Sequence, residues 1–251
     1  MDPFARTRTV AARLEVVEQS PSTNAQLRAQ AAGAPHRTVL LTTDQTAGRG
    51  RLDRTWTTPA GSALAVSVLL RDLPEPDALG WIPLAAGVAM ADAVARQLPG
   101  HEVGVKWPND VLVDGRKICG ILAEAAHGAV IVGAGVNTAM AADQLPVPTA
   151  TSFAALDAQA DIDRIAADFV AGLGRRVSEL AAAGGADASG LRPEAEKRCL
   201  SLGRVVDVSL PDGTRLRGTA EALDSDGRLL VDADGVRHAV AAGDVVHARL
   251  A

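Results

Sequence analysis

The chain has 251 residues, 47% of them apolar, and a formal net charge of −5. That length can bury a core as one large domain or as a large and a small one, whereas the acidic balance excludes a general nucleic-acid binder, which needs a basic surface to neutralise phosphates. No apolar run is long enough to span a bilayer, residues 1–6 lack the core of a signal peptide, and Cys119 and Cys199 show neither metal-ligand spacing nor a disulfide framework, so a reducing, cytoplasmic location is expected.

In chain order, residues 13–18 read as a short strand. Ser22-Thr23-Asn24 precede a run of good helix formers, 25–32, closed by Gly33. Ser22 or Thr23 is therefore a candidate N-cap, whose hydroxyl takes an orphan helix N–H; a helix N-terminus also suits an anion or a polar ligand atom. A strand over 38–43 leads into a loop, 45–56, and an apolar strand follows over 62–70. Residues 79–98 read as a largely buried helix with Pro83 in its first turn, where proline is tolerated. A strand over 103–106 is broken by Pro108, and Asn109 and Asp110 are turn formers. The chain resumes over 111–113, turns on Asp114-Gly115 and returns over 116–124, since Asp-Gly between apolar runs is a strong hairpin signal. A further strand covers 129–137, and such short connections imply antiparallel pairing. Residues 139–160 form a loop with one short helix. Helical spacing of Ile162, Ile165, Phe169, Val170, Leu173, Val177 and Leu180 gives a helix over 161–183, and 193–200 gives another. Five short strands, 203–210, 214–223, 228–232, 236–240 and 245–250, are then separated by Asp-Gly turns, a pattern that suggests a small barrel. The chain thus divides into residues 1–196 and 197–251.

Two regions carry unusual residues. Lys106 and Lys117 fall on one hairpin and its entry turn, beside apolar Ile118, Cys119, Ile121 and Leu122. Lysines beside a buried sheet are costly unless an anion meets them; the competing reading is an edge strand protected by lysine. The loop interleaves Gly48 and Gly50 with Arg49, Arg51 and Arg54. Glycine lets the backbone approach a ligand and arginine offers a two-pronged fork to carboxylate or phosphate, although a chance Arg-Gly-Arg in a surface loop has the same appearance. Trp56 could present a face to a base or fill the core, and Trp107 reads as core. Residue 53 is not glycine and no Gly-Lys-Ser/Thr occurs, so neither common phosphate loop is present. The five histidines are scattered and Ser62 lacks the glycines of a nucleophile elbow. Without a covalent nucleophile, chemistry here would run on charge stabilisation and positioning.

Ser22-Thr23-Asn24, Gln45 through Arg51 with Trp56, Lys106-Trp107-Pro108-Asn109-Asp110, Lys117 through Leu122, and Gly133-Ala134-Gly135-Val136-Asn137 occur in that order. Together they resemble the biotin protein ligases, from about residue 14 to the end. The resemblance implies an α+β fold: a class II synthetase-like, mainly antiparallel mixed sheet flanked by helices, followed by an SH3-like barrel. It implies ATP-dependent biotinylation of a lysine on the biotin carboxyl carrier domain of an acyl-CoA carboxylase through biotinyl-AMP, releasing pyrophosphate and then AMP. On this resemblance Lys117, Arg51 and Lys106 are catalytic. Biotin would be held by Ser22, Thr23, Asn24 and Gln45 at its ring, and by Arg49, Gly50, Arg51, Lys117 and Gly120. Gly48, Arg49, Arg51, Arg54, Trp56, Asn109, Asp110 and Asn137 would contact ATP or the adenylate. Mg²⁺ would be held mainly by the ATP phosphates, with Asp110 the one candidate protein ligand. Cys119 stands where the family has a small apolar residue. The stretch ahead of Ser22 is too short for the helix-turn-helix domain of bifunctional members, so a monofunctional ligase that binds neither DNA nor membrane is expected. It would be a monomer or a weak homodimer pairing along 129–137 or through the terminal barrel. The loop over 48–56 is expected to be mobile without ligand. Competing readings are a lipoate or octanoate ligase of the same fold, and a biotin-binding module that has lost catalysis.

Overall fold

The computed structural model describes residues 2–52, 54–210, 213–241 and 244–247. Its larger part is a seven-stranded sheet of β1 (Arg13–Val16), β2 (Thr38–Thr42), β5 (Ala63–Leu70), β6 (Val103–Lys106), β7 (Asp110–Val113), β8 (Arg116–Ala126) and β9 (Ala129–Asn137). The strands lie in the order β1-β2-β5-β9-β8-β7-β6. Only β1 and β2 pair in parallel. Helices cover both faces, which is why β2 and β5 are buried along their whole length rather than alternating. On one face Val66, Val68 and Leu70 pack against α3 (Trp81–Ala95) and α4 (Ile162–Ala183). On the other, Leu40, Leu69 and Ile131 pack against Leu27 of α2 (Thr23–Gln30).

The Asp114-Gly115 turn forms as the sequence predicts, with φ of 49° and 75°. Beyond it the β7–β8 register slips at a bulge. Val111 faces Cys119 whereas Leu112 faces Lys117, so Ile118 is the extra residue. Ile118 and Cys119 are both fully buried in the core. The bulge therefore places Lys117 on the same face as Gly120, a re-aiming that strict alternation would forbid.

The structure corrects three expectations, those for residues 129–137, for a lysine-protected edge at Lys117 and for residues 139–160. Residues 5–10 form a helix, α1 (Ala5–Val10), with Phe4 buried in the core. The carboxylate of Asp163 accepts from the Arg6 and Thr7 amides and the Thr7 hydroxyl at 2.8–3.0 Å. The N-terminus is thus integral to the domain. Strand β9 lies between β5 and β8 with both edges hydrogen-bonded, so no second chain can pair along it. Lys117 lies on an interior strand, which removes the reading of a lysine-protected edge for it, whereas Lys106 ends β6, the outermost strand of the sheet. Residues 139–160 hold two 3₁₀ turns, Ala142–Gln144 and Ala154–Leu156.

After α5 (Leu191–Arg198) the chain forms a second sheet of β10 (Val205–Ser209), β11 (Arg215–Leu223), β12 (Leu229–Ala233), β13 (Val236–Val240) and β14 (Asp244–His247). It is wholly antiparallel, ordered β13-β12-β11-β10-β14. Part of the turn expected at 211–213 and the end of the last expected strand lie outside the described residues. Two indoles fasten this module to the larger one. Trp81 Nε1 donates to Ser225 O at 2.7 Å and Trp107 Nε1 to Gly227 O at 3.0 Å. Trp107 is buried, as expected. Among the described residues no helix is long and apolar enough to cross a membrane.

Candidate active site

The face of the sheet that carries α2 is left open beside it, because its strands present small residues there. A cavity of about 140 Å³ results, floored by Ala65 of β5, Gly120 of β8, and Gly133 and Gly135 of β9. The glycines are required by close approach. A Cβ at Gly133 would overlap the Asn24 carboxamide, and one at Gly135 would lie 2.8 Å from the Trp56 indole. At Gly120 it would meet Trp56 and Lys117 Nζ at 3.2 Å. The sequence reading assigns a site role only to Gly120, although Gly133 and Gly135 fall inside a matching motif.

One end of the cavity is a buried polar ladder. Ser22 caps α2, accepting from Ala25 N at 3.4 Å, which frees Thr23 and Asn24 to face the sheet. Gln45 Oε1 accepts from Thr23 N at 2.9 Å and lies 3.2 Å from Thr23 Oγ1. Ser67 Oγ of β5 sits 2.8 Å from Thr23 Oγ1 and donates to Asn24 Oδ1 at 2.7 Å. Asn24 Nδ2 in turn donates to Leu122 O at 3.2 Å and Glu124 Oε2 at 2.8 Å. Each of the side chains of Thr23, Asn24, Gln45 and Ser67 is held by another, so the ladder is ordered by its own hydrogen bonds. Ser67 and Glu124 escaped the sequence reading, since nothing in their local pattern distinguishes them from strand residues.

The opposite end is cationic. Lys117 Nζ contacts Asp110 Oδ1 at 2.6 Å and lies 5.6 Å from the Trp56 ring centroid. Lys106 Nζ stands 3.8 Å from the other oxygen, Asp110 Oδ2. The loop over this end is a small hairpin of β3 (Gly48–Arg49) and β4 (Thr55–Trp56), pairing Gly48 with Trp56 and Arg49 with Thr55. Arg51 donates to Asn109 Oδ1 at 3.1 Å, and Asn109 Nδ2 to Ile121 O at 2.8 Å. Arg49 reaches Glu124 Oε2 at 3.0 Å. Trp56, half-buried over Gly120 and Gly135, forms a flat wall.

Of the residues singled out from sequence, Ser22, Thr23, Asn24, Gln45, Arg49 and Gly50 line this cavity, as do Arg51, Arg54, Trp56, Asn109, Asp110, Lys117 and Gly120. Three do not. Gly48 lies behind the wall, where a Cβ would collide with Gln45 and Trp56 O. Lys106 touches the site through Asp110. Asn137 is buried off the cavity, donating to Thr151 O at 2.9 Å, a position that ties the end of β9 to the following loop. No three or more His, Cys, Asp or Glu side chains group as a metal site among the described residues. Both oxygens of Asp110 face ammonium groups. Burial pushes the Cys119 thiol far above its ordinary range and raises that of Cys199, so neither is a nucleophile at neutral pH.

Comparison with known proteins agrees with this geometry. Residues 14–137 match the biotin/lipoate A/B protein ligase family and residues 201–248 the biotin protein ligase C-terminal domain. The chain is 42% identical over 243 residues to the biotin–[acetyl-CoA-carboxylase] ligase of Mycobacterium tuberculosis, covering 94% of this chain and 90% of that one. It is 33% identical over 202 residues to the bifunctional ligase/repressor of Escherichia coli, covering 76% of this chain and 60% of that one. Biotin protein ligase from Aquifex aeolicus, solved in complex with biotin and ATP, superposes with a TM-score of 0.80 at 22% identity, over 95% of this chain and all of that one. The Leishmania major biotin protein ligase in complex with biotinyl-5-AMP gives a TM-score of 0.59 at 25% identity, over 92% and 99% of the two chains. A glycine-floored cavity with a polar ladder at one end and lysine and arginines at the other, in a chain this similar over nearly its whole length, places the protein in the biotin protein ligase family.

Proposed function

We propose that the chain joins biotin to ATP as biotinyl-AMP, then transfers the biotinyl group to a lysine of a biotin carboxyl carrier domain of an acyl-CoA carboxylase. The observation that carries this reading is a cavity with chemically opposite ends. Biotin is itself such a molecule, a polar ureido ring joined by an aliphatic chain to a carboxylate. Thr23, Asn24 and Gln45 meet the ring, and Lys117 meets the carboxylate. Lipoate and octanoate end in groups that cannot satisfy the ladder, and a site built to hydrogen-bond rejects an analogue that leaves its polar groups unpaired.

In the first step a carboxylate oxygen of biotin attacks the α-phosphorus of ATP, forming the acyl–phosphate bond as the bond to pyrophosphate breaks. Arg51, Arg54 and Lys117 stabilise the charge gathering on the phosphoryl oxygens; removing one such preorganised donor typically costs about 10²–10³ in rate. Aligning the two anionic reactants can lower the barrier by about 7–11 kcal/mol. Trp56 supplies a stacking wall for the adenylate. Asp110 holds the Lys117 ammonium at the carboxylate end, and Lys106 balances the second oxygen of Asp110. The phosphates of ATP would hold Mg²⁺, which would supply further charge neutralisation at the reacting phosphoryl group. In the second step the carrier's lysine amine attacks the biotinyl carbonyl, forming the amide and releasing AMP. Until then the arginine hairpin keeps water from the mixed anhydride.

The chain is proposed to act as a monomer or a weak dimer formed through its terminal module, without DNA, in a reducing compartment that suits its two buried thiols. Mass spectrometry of the products from Mg-ATP and equimolar biotin, lipoate and octanoate tests the reading. Biotinyl-AMP is expected to dominate; a lipoyl or octanoyl adenylate in its place, or no adenylate from folded protein, contradicts it.

A further inference from the structure

Glu124 projects from β8 beside the cavity, and none of the chemistry above uses it. Its side chain is only 17% exposed, yet it holds residues from two different parts of the site. Oε2 accepts from Asn24 Nδ2 at 2.8 Å and from Arg49 at 3.0 Å, while Oε1 lies 3.6 Å from Arg28 of α2. Asn24 belongs to the polar ladder and Arg49 to the hairpin over the cationic end. A carboxylate between them satisfies the amide below and anchors the guanidinium above. A guanidinium committed at 3.0 Å to a fixed carboxylate has that charge engaged away from a phosphate.

We propose that Glu124 is a positioning residue which couples the ring end of the cavity to the arginine hairpin, with Arg49 as the hairpin's latch rather than a ligand to the nucleotide. This rests on the reading of the site as one that makes biotinyl-AMP. Coupling follows from the shared oxygen. When a ring settles against Asn24 it fixes the amide that shares Glu124 Oε2 with Arg49, so occupancy at one end steadies closure at the other. The pair also divides labour among the arginines, Arg51 and Arg54 facing the reacting phosphate and Arg49 holding the lid.

Two substitutions separate the functions of Glu124. Gln at 124 keeps an acceptor for Asn24 but loses the charge that holds Arg49, whereas Ala loses both. The test measures free biotinyl-AMP released per pyrophosphate formed, KM for biotin, and hydrogen exchange of the Gly48–Arg51 amides. It compares the intact chain with E124Q, E124A, R49A and the R49A/E124Q double variant. Loss of a half-exposed ion pair predicts about fivefold greater release and faster hairpin exchange in E124Q and in R49A, with no further change in the double variant because both remove one interaction. KM for biotin is expected to shift by less than about twofold in E124Q and to rise about tenfold in E124A, where the buried Asn24 amide loses the nearer of its two acceptors. Effects of R49A and E124Q that multiply in the double variant, or hairpin exchange in E124Q equal to that of the intact chain, overturn the latch. If the intact chain made no biotinyl-AMP the functional reading would fail, while the exchange measurement would still decide whether the latch exists.

Discussion

The two ends of the cavity are built in opposite ways. The polar ladder of Thr23, Asn24, Gln45 and Ser67 is shared among a helix N-terminus, a loop and a central strand, and its members fix one another at 2.7–3.2 Å. The cationic end is covered by a hairpin whose strands are two residues each, held down by contacts of Arg49 and Arg51 with Glu124 and Asn109. Recognition of the acyl group thus rests on a rigid wall, where any reorganisation would erode selectivity. Closure rests on a few partly exposed charge contacts, each weak enough to break once per turnover. A ligase that must both hold a labile adenylate and release it to a macromolecule needs both.

The largest effect is expected where the cationic end loses its central charge. Lys117→Ala should lower biotin-dependent pyrophosphate release by about 10²–10³-fold, the range for one preorganised donor, with helix content unchanged by circular dichroism. Breaking the ladder should act on binding instead. Ser67→Ala removes the donor to Asn24 Oδ1 and should raise KM for biotin by about tenfold, as expected when a buried polar group loses its partner. A similar fall in kcat at unchanged KM would show that the ladder belongs to the reacting end. Lys106→Met should cost only about fivefold in kcat, because Lys106 acts across 3.8 Å on Asp110; a loss as large as that of Lys117→Ala would give it direct contact with the reactants. At the small end, iodoacetamide at neutral pH should leave Cys119 unmodified in the folded chain and activity intact, since burial holds its thiol protonated. Peptide mass spectrometry after brief labelling decides this.

Part of the cavity is legible as local signals, whereas Thr23, Asn24, Gln45 and Gly120 enter as site residues only through the family resemblance. The Asp114-Gly115 hairpin, the Ser22 cap and the interleaved glycines and arginines each have a physical reason that a short window contains. The rest depends on contacts that no window holds. Glu124 meets Asn24 a hundred positions away, and in isolation it is an ordinary polar residue of a strand. The bulge at Ile118 decides which face Lys117 occupies, but two adjacent apolar residues within an apolar strand give no sign of a register slip. Helix α1 is too short for periodicity to show, and its amides are satisfied by Asp163 more than 150 positions on. The interior place of β9 follows from strand order, which antiparallel hairpins alone leave open: β5 reaches it across α3 and the whole β6–β8 meander.

The division between a selective end and a reactive end is tested most directly by one competition. Acyl-adenylates formed from equimolar biotin and lipoate would be measured for the intact chain, Ser67→Ala and Arg51→Ala. The account predicts that Ser67→Ala lowers the ratio of biotinyl- to lipoyl-AMP, while Arg51→Ala forms adenylate slowly, leaks a larger share of it before transfer, and keeps the ratio of the intact chain. A ratio that falls in Arg51→Ala and holds in Ser67→Ala would contradict it.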